Sequence, residues 1–193
     1  GRWWAFEYNN GQASSFLSGS VSPASSRTEI DKGTEILLNA LPEELTGSLL
    51  DMGCGYGVIG VTLGKRYPGL SVVMSDVNER AVELSRRNAQ RNGVPARVMQ
   101  SDGYADVPFQ RMDWIVQNPP IRAGKSVIYA MFAEGARRLE PSGELWLVIR
   151  KQQGAESAVR YLKTLFGGVG AVSKKGGFWV LRCTQPAERP DEE

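Results

Sequence analysis

The chain has 193 residues, 41% of them hydrophobic and 23% charged, which is ordinary for a globular protein and enough for one domain with a real core. Its 23 basic and 21 acidic residues leave a net charge of +2, a balance that neither demands nor excludes a nucleic-acid partner. It contains no histidine, which removes Ser-His-Asp and Cys-His triads, histidine metal sites and the commonest general base.

Residues 2–8 are aromatic and partly alternating and read as a strand, with a turn at Asn9-Asn10-Gly11. Residues 14–26 are rich in serine and glycine but anchored by Phe16, Leu17 and Val21, and are expected to form a hairpin extension or a lid that orders over a cofactor. Asp31-Lys32-Gly33-Thr34 leads into a short amphipathic helix over 35–41, stopped by Pro42. Strand and helix signals then alternate: strand 48–51, helix 58–66, strand 70–75, helix 78–92, strands 96–100 and 113–117, helix 126–139, strand 144–150 and helix 155–166. Asn78 is the expected N-cap of the 78–92 helix and Gly93 its stop. Strands 169–174 and 178–183 flank Lys175-Gly176-Gly177, a hairpin signal, and a frayed polar tail is expected over 185–193. This alternation implies an α/β fold, a mostly parallel sheet with helices on both faces, and the closing hairpin adds one antiparallel strand, expected at the sheet edge. The expected division is an N-terminal extension over 1–30, a single α/β domain over 31–184, and the tail. No apolar stretch approaches a membrane span, and no signal-peptide pattern opens the chain. The two cysteines, Cys54 and Cys183, form neither a disulfide framework nor a zinc pattern. That suits a reducing cytoplasm, and no metal is expected.

The central stretch is Leu49-Leu50-Asp51-Met52-Gly53-Cys54-Gly55-Tyr56-Gly57-Val58-Ile59-Gly60. An apolar run suits a buried parallel strand, and the alternate glycines let the backbone turn sharply and approach a ligand. Gly55 to Gly60 also fits the dinucleotide pattern G-x-G-x-x-G, a weak signal by itself. Asp76 ends the second strand, 25 positions after Asp51. An acid there accepts from both hydroxyls of a ribose, or else serves the dipole of the helix that follows. Asp102, before Gly103, repeats that position at the third strand, where an acid can accept from an adenine amine. The fourth strand runs into Asn118-Pro119-Pro120-Ile121. Its two prolines hold the backbone rigid, so that the Asn118 oxygen and the Pro119 carbonyl can each accept an N–H of an amine, or else simply end the strand. Accepting those hydrogens pushes electron density onto a poorly nucleophilic nitrogen without a strong base.

These residues together resemble a class I S-adenosylmethionine-dependent methyltransferase: Asp51-Met52-Gly53-Cys54-Gly55-Tyr56-Gly57, then Asp76, Asp102 and Asn118-Pro119-Pro120-Ile121. More narrowly, with Asp31-Lys32-Gly33-Thr34, Lys125 and Lys174-Lys175-Gly176-Gly177-Phe178, the chain is similar over roughly 16–183 to the small-domain family that modifies the exocyclic amine of guanine in ribosomal RNA. The resemblance implies a Rossmann-like sheet of seven strands. It implies S-adenosyl-L-methionine as cofactor, with Asp51, Gly53, Cys54 and Gly55 at its methionine part, Asp76 at the ribose, Val77, Asp102 and Gly103 at the adenine, and Thr34 capping the site. Asn118, Pro119, Pro120 and Ile121 would orient the target amine, so that catalysis is mainly proximity. Ile121 stands where many relatives carry a stacking aromatic, although an aliphatic residue occurs in the guanine-specific branch, so stacking must come from elsewhere, with Phe16, Tyr56 and Tyr104 as candidates that are also candidate core. Arg122 and Lys125 are the expected phosphate contacts to ribosomal RNA or the small ribosomal subunit. Arg150 and Lys151 extend that basic track, while the arginines of the 78–92 helix read as a solvated face.

Three rivals stand beside this reading. A nicotinamide-dependent oxidoreductase would use the glycine pattern and Asp76, but the N-P-P motif and the closing hairpin oppose it. A protein glutamine methyltransferase shares N-P-P but usually carries Tyr at the position of Ile121. A non-catalytic RNA-binding assembly factor would have no reason to keep Asp51, Asp76 and Asn118.

Overall fold

The computed structural model describes residues 3–8, 12–17 and 29–188. In chain order the elements are β1 (Trp3–Tyr8), β2 (Gln12–Leu17), α1 (Glu29–Ala40), β3 (Ser48–Met52), α2 (Val58–Arg66), β4 (Ser71–Asp76), α3 (Glu79–Arg91), β5 (Ala96–Gln100) and β6 (Met112–Gln117). They continue with α4 (Lys125–Arg137), β7 (Leu139–Arg150), α5 (Ala155–Leu162), β8 (Phe166–Lys175) and β9 (Phe178–Pro186). β1 and β2 form a separate antiparallel pair. The lid expected over 14–26 falls largely outside the described residues.

The other seven strands form one sheet in the order β5-β4-β3-β6-β7-β9-β8. β3 to β7 are mutually parallel, and β9 runs antiparallel to both β7 and β8. The antiparallel strand is therefore one in from the edge, and β8 is outermost. Composition explains the order. β9 buries Phe178, Val180, Leu181 and Cys183, so it needs cover on both faces, whereas β8 carries Gly167, Gly168 and Gly170 and exposed Lys174 and Lys175, which suits an edge. Glu144 on β7 takes two bonds from Arg182 on β9, at 2.7 and 3.1 Å, pinning their register.

Alternate strand residues feed two cores. Leu49, Val116, Val148 and Val180 face α1 and α2, while Leu50, Ile115, Leu147 and Leu181 face α4 and α5. Burial on both faces is why these strands read as continuous apolar runs. Several boundaries differ from the sequence reading, four of them with a visible cause. α1 begins at Glu29 rather than 35 because Gly33 lies inside the helix, where its missing side chain admits the Phe178 ring; a Cβ there would sit 3.1 Å from Cε1. β7 begins at Leu139, since Pro141 to Gly143 are absorbed in an irregular step between the Met112 and Trp114 pairings of β6. α5 ends at Leu162, where both the amide and the hydroxyl of Thr164 bond the Tyr161 carbonyl. β9 runs on to Pro186, which pairs with Phe166. α3 follows expectation: the Asn78 side chain accepts from the Arg80 and Ala81 amides, and Gly93 follows at φ 67°.

Gly60 and Gly64, one turn apart, share the face of α2 that packs against Met74 and Val72 of β4, with no room for a side chain. A Cβ on Gly64 would stand 2.5 Å from Val94 Cγ1 and 3.3 Å from Val72 Cγ2, both branched and hard to move. Gly64→Ala is expected to lower stability by about 1 kcal/mol net, overpacking of about 1–3 outweighing a helix-propensity gain of about 1. A urea midpoint equal to or above that of the wild type would contradict it. Among the described residues, no helix is long and apolar enough to cross a membrane.

Candidate active site

Strand order reverses direction at β3, whose neighbours are β4 on one side and β6 on the other, and the crevice beyond the strand ends at such a point is the usual ligand site of an α/β sheet. A cavity of about 790 Å³ opens there, in the upper part of the ~300–1,000 Å³ range of small-molecule sites. Gly53, Cys54, Gly55 and Tyr56 wall it from the β3–α2 turn, Asp76 from β4, Thr34 from α1, and Asn118 to Arg122 from the loop after β6.

The turn is built for close approach. The Gly53 and Cys54 amides both donate to the Ser75 carbonyl at 2.9 Å, folding the turn onto β4. Gly53 and Gly55 adopt φ of 73° and 55°, and a Cβ on either would meet nothing within 4 Å, so the backbone is bare towards the cavity. From behind, α3 holds the turn's carbonyls: Ser85 Oγ donates to Gly55 O at 2.8 Å and Asn88 Nδ2 to Tyr56 O at 2.6 Å. Both side chains are fully buried. The sequence reading did not mark them, although buried polar residues on an amphipathic helix need such partners.

Asp76 is the single carboxylate among the described residues that line the cavity. Its Oδ2 accepts from the Gly55 amide and its Oδ1 from the Asn78 amide, each at 2.9 Å. Two backbone donors thus hold the carboxylate in one orientation, and it keeps acceptor capacity for further hydroxyls. Asp51 lies beneath the turn and not on the cavity wall; it is 1% exposed, and its Oδ2 accepts from Gly60 N at 2.9 Å. Its Oδ1 has no hydrogen-bond partner among the described residues. Burial pushes its carboxyl up to about 7, against the lowering effect of the Gly60 amide and with a further push from Asp76. Because that value lies above the unfolded one, the residue's contribution to stability is complete at acid pH and lost as pH rises through about 7. Urea unfolding of the wild type should therefore show stability falling from about pH 4 to about pH 7 and levelling off above, with the fall reduced in Asp51→Asn. Equal slopes for the two proteins would exclude Asp51 as its source.

On the opposite wall, Asn118 Nδ2 donates to Thr34 Oγ at 3.2 Å, which turns the amide so that its oxygen can face an amine. Pro119 is buried and Pro120 exposed, and Pro120 O caps the following 3-10 turn by accepting from Ala123 N. Arg122 lines the mouth.

Other expected site residues lie elsewhere. Val77, 61% exposed, and Asp102 and Gly103 sit on the neighbouring loops after β4 and β5, outside the cavity wall. Their loops are joined to the site through Ser101 N, which bonds Asp76 O, and Gln100 Nε2, which bonds Val77 O. Lys125 is exposed at the start of α4, 5.3 Å from the Tyr129 ring centre. Tyr104 is not a stacking residue: it is buried in the α4-side core with Arg138 over its ring. Tyr56 does line the cavity, and the side chain of Phe16 lies outside the description. Arg80 and Arg87 pair with Glu83 on the outer face of α3, as a solvated face should. Arg150, expected in the basic track, lines the cavity itself, as strand C-termini do. Gln153 and Phe178 line it too, though the sequence reading did not place them there and nothing local marks them.

The methyltransferase small-domain profile matches residues 21–182. The chain is 43% identical over 183 residues to the uncharacterized protein YbxB of Bacillus subtilis (strain 168), covering 93% of this chain and 90% of that one. It is 40% identical over 162 residues to the ribosomal RNA small subunit methyltransferase C of Aeromonas hydrophila, covering 80% of this chain but only 45% of that protein. Thus it spans about half the length of the ribosomal RNA methyltransferases it matches. Among solved structures, a 16S rRNA guanine N2-methyltransferase of T. thermophilus, in complex with AdoMet and guanosine, superposes with a TM-score of 0.69 at 24% identity, covering 96% of this chain and 51% of that one. A methyltransferase from Pyrococcus furiosus gives a TM-score of 0.69 at 21% identity, covering 89% and 91%. These two likenesses concern the fold, whereas the profile and the sequence relatives cover nearly the whole chain, and on that ground the chain belongs to the methyltransferase small-domain family.

Proposed function

We propose that this chain is an S-adenosylmethionine-dependent methyltransferase acting on an exocyclic amine, that of guanine in ribosomal RNA within or outside the small subunit. The observation that carries the reading is that Asp76 and Asn118, from the ends of β4 and β6, face one cavity across the bare glycine turn of β3. The residues present fit the cofactor. Gly53, Cys54 and Gly55 offer open backbone for its methionine part above the buried acid Asp51, Asp76 offers a fixed carboxylate for its ribose, and Val77, Asp102 and Gly103 flank the end where its adenine would lie. Once bound there, S-adenosylmethionine supplies an electrophilic methyl group.

The chain's own work is to hold the amine. Asn118 Oδ1 and the Pro119 carbonyl accept its two hydrogens and aim the nitrogen lone pair at the methyl. The nitrogen–carbon bond forms as the sulfur–carbon bond breaks, and the surplus proton passes to water. No base is required at the nitrogen, which agrees with a histidine-free chain and with catalysis by proximity. Arg122 and Lys125 are assigned to phosphates beside the target. The family excludes the nicotinamide reading. Radiolabelled S-adenosylmethionine, the purified chain and unmethylated ribosomal RNA or small subunits test the rest: label recovered in guanine is the expected result. Cofactor binding with no label on any RNA would instead favour a glutamine acceptor, and no cofactor binding would leave the assembly-factor reading.

A further inference from the structure

Ile121 is aliphatic, so it cannot offer a π-face to a base, and Tyr104 is committed to the core. Tyr56 lines the cavity from the glycine turn, packed against the α1- and α2-side core on the wall assigned to the cofactor, which leaves the planar surface to the wall beside the N-P-P loop. β7 is the parallel neighbour of β6, with Gln117 opposite Leu147 as their last pair, so Arg150 at the end of β7 and the loop after β6 lie at the same edge of the sheet. Arg150 lines the cavity with Ile121 and Asn118. Its cross-strand partner on β9 is Phe178, and the Arg150 guanidinium carbon stands 5.0 Å from the centre of that ring. Phe178 itself is only 6% exposed, with the backbone of α1 at Gly33 close against its edge. The ring therefore has little surface left for a ligand, and what it supports towards the cavity is the guanidinium.

We propose that Arg150, seated over Phe178, is the planar surface on which the target base lies, opposite Ile121. Guanidinium planes stack on bases as aromatic rings do, and an aromatic beneath restrains the guanidinium at no cost to its charge. The arrangement answers the missing aromatic after N-P-P: the stacking partner sits on the next strand instead of in the motif. Arg150 is a substrate-binding residue here, and Phe178 a positioning residue that acts through it. The inference rests on the nucleobase reading above.

The test is steady-state methylation of a guanine-containing ribosomal RNA by the wild type, Arg150→Lys and Arg150→Met, with S-adenosylmethionine affinity measured for each by calorimetry. Lysine keeps the charge and loses the plane. Both variants should bind cofactor like the wild type, which also establishes that they fold, and both should raise the KM for RNA about tenfold, the scale of losing one stacked base, with a smaller change in kcat. An Arg150→Lys variant that restores wild-type KM would overturn the proposal, because charge alone would then suffice, and so would unchanged KM in both variants. A wild type that methylates no RNA, or methylates a glutamine peptide in its place, would sink the nucleobase reading itself. That result is visible before any variant is compared.

Discussion

Asn118→Ala is expected to remove methyl transfer while leaving the cofactor bound. Its side chain reaches the cavity from the end of β6 and is turned by Thr34, whose Oγ accepts from Nδ2 at 3.2 Å. Alanine deletes an acceptor for the target amine, and the nitrogen is then free to rotate out of line with the methyl. Misplacement of that kind costs on the order of 10²-fold in kcat. S-adenosylmethionine affinity should stay near that of the wild type, because the main contacts assigned to the cofactor lie at the ends of β3, β4 and β5 and not on β6. Thr34→Val, which keeps the volume and removes the oxygen, should give a smaller loss in the same direction. Asn118→Asp keeps an acceptor and should retain more activity than alanine. Single-turnover assays with calorimetry alongside separate the two effects. Wild-type kcat in Asn118→Ala would take the residue out of the mechanism.

Asp76→Ala is expected to lower S-adenosylmethionine affinity by about 10²- to 10³-fold. The variant removes two charge-assisted bonds to ribose hydroxyls, each worth about 1.5–3 kcal/mol, so that about 3–4 kcal/mol is lost after partial replacement by water. It also strips the Gly55 and Asn78 amides of their acceptor, loosening both the glycine turn and the entry to α3. A variant that bound within threefold of the wild type would mean that Asp76 serves the helix alone. Calorimetric titration with S-adenosylmethionine and S-adenosylhomocysteine reads this directly, with no assumption about the acceptor.

Much of the site was legible in the sequence because it is made of strand ends. Apolar runs over 48–51, 70–75 and 113–117 stop at a glycine turn, at Asp76 and at Asn118, and residues just past parallel strands share one edge of the sheet whichever strand lies where. The helix limits at Asn78 and Gly93 were legible for a similar reason, since a cap is a bond between near neighbours. Tyr104 stayed open between stacking and core in the sequence because an aromatic after a strand looks the same whether its ring turns outward or, as here, inward beneath Arg138. Gly33 was taken as a lead-in because its close partner, Phe178, is far along the chain.

By itself, then, the sequence determined the alternation of strands and helices, the two-sided burial of the sheet, and the glycine turn, acid and N-P-P set at its edge. Each follows from periodicity or from bonds within a few residues. Tertiary structure alone decided that β9 lies inside β8, that α3 supports the glycine turn through Ser85 and Asn88, and that Arg150, seated over Phe178, lines the same cavity as Ile121. Those features depend on which strand pairs with which, and that is settled by competition among burial surfaces distant in the chain, which no local pattern records.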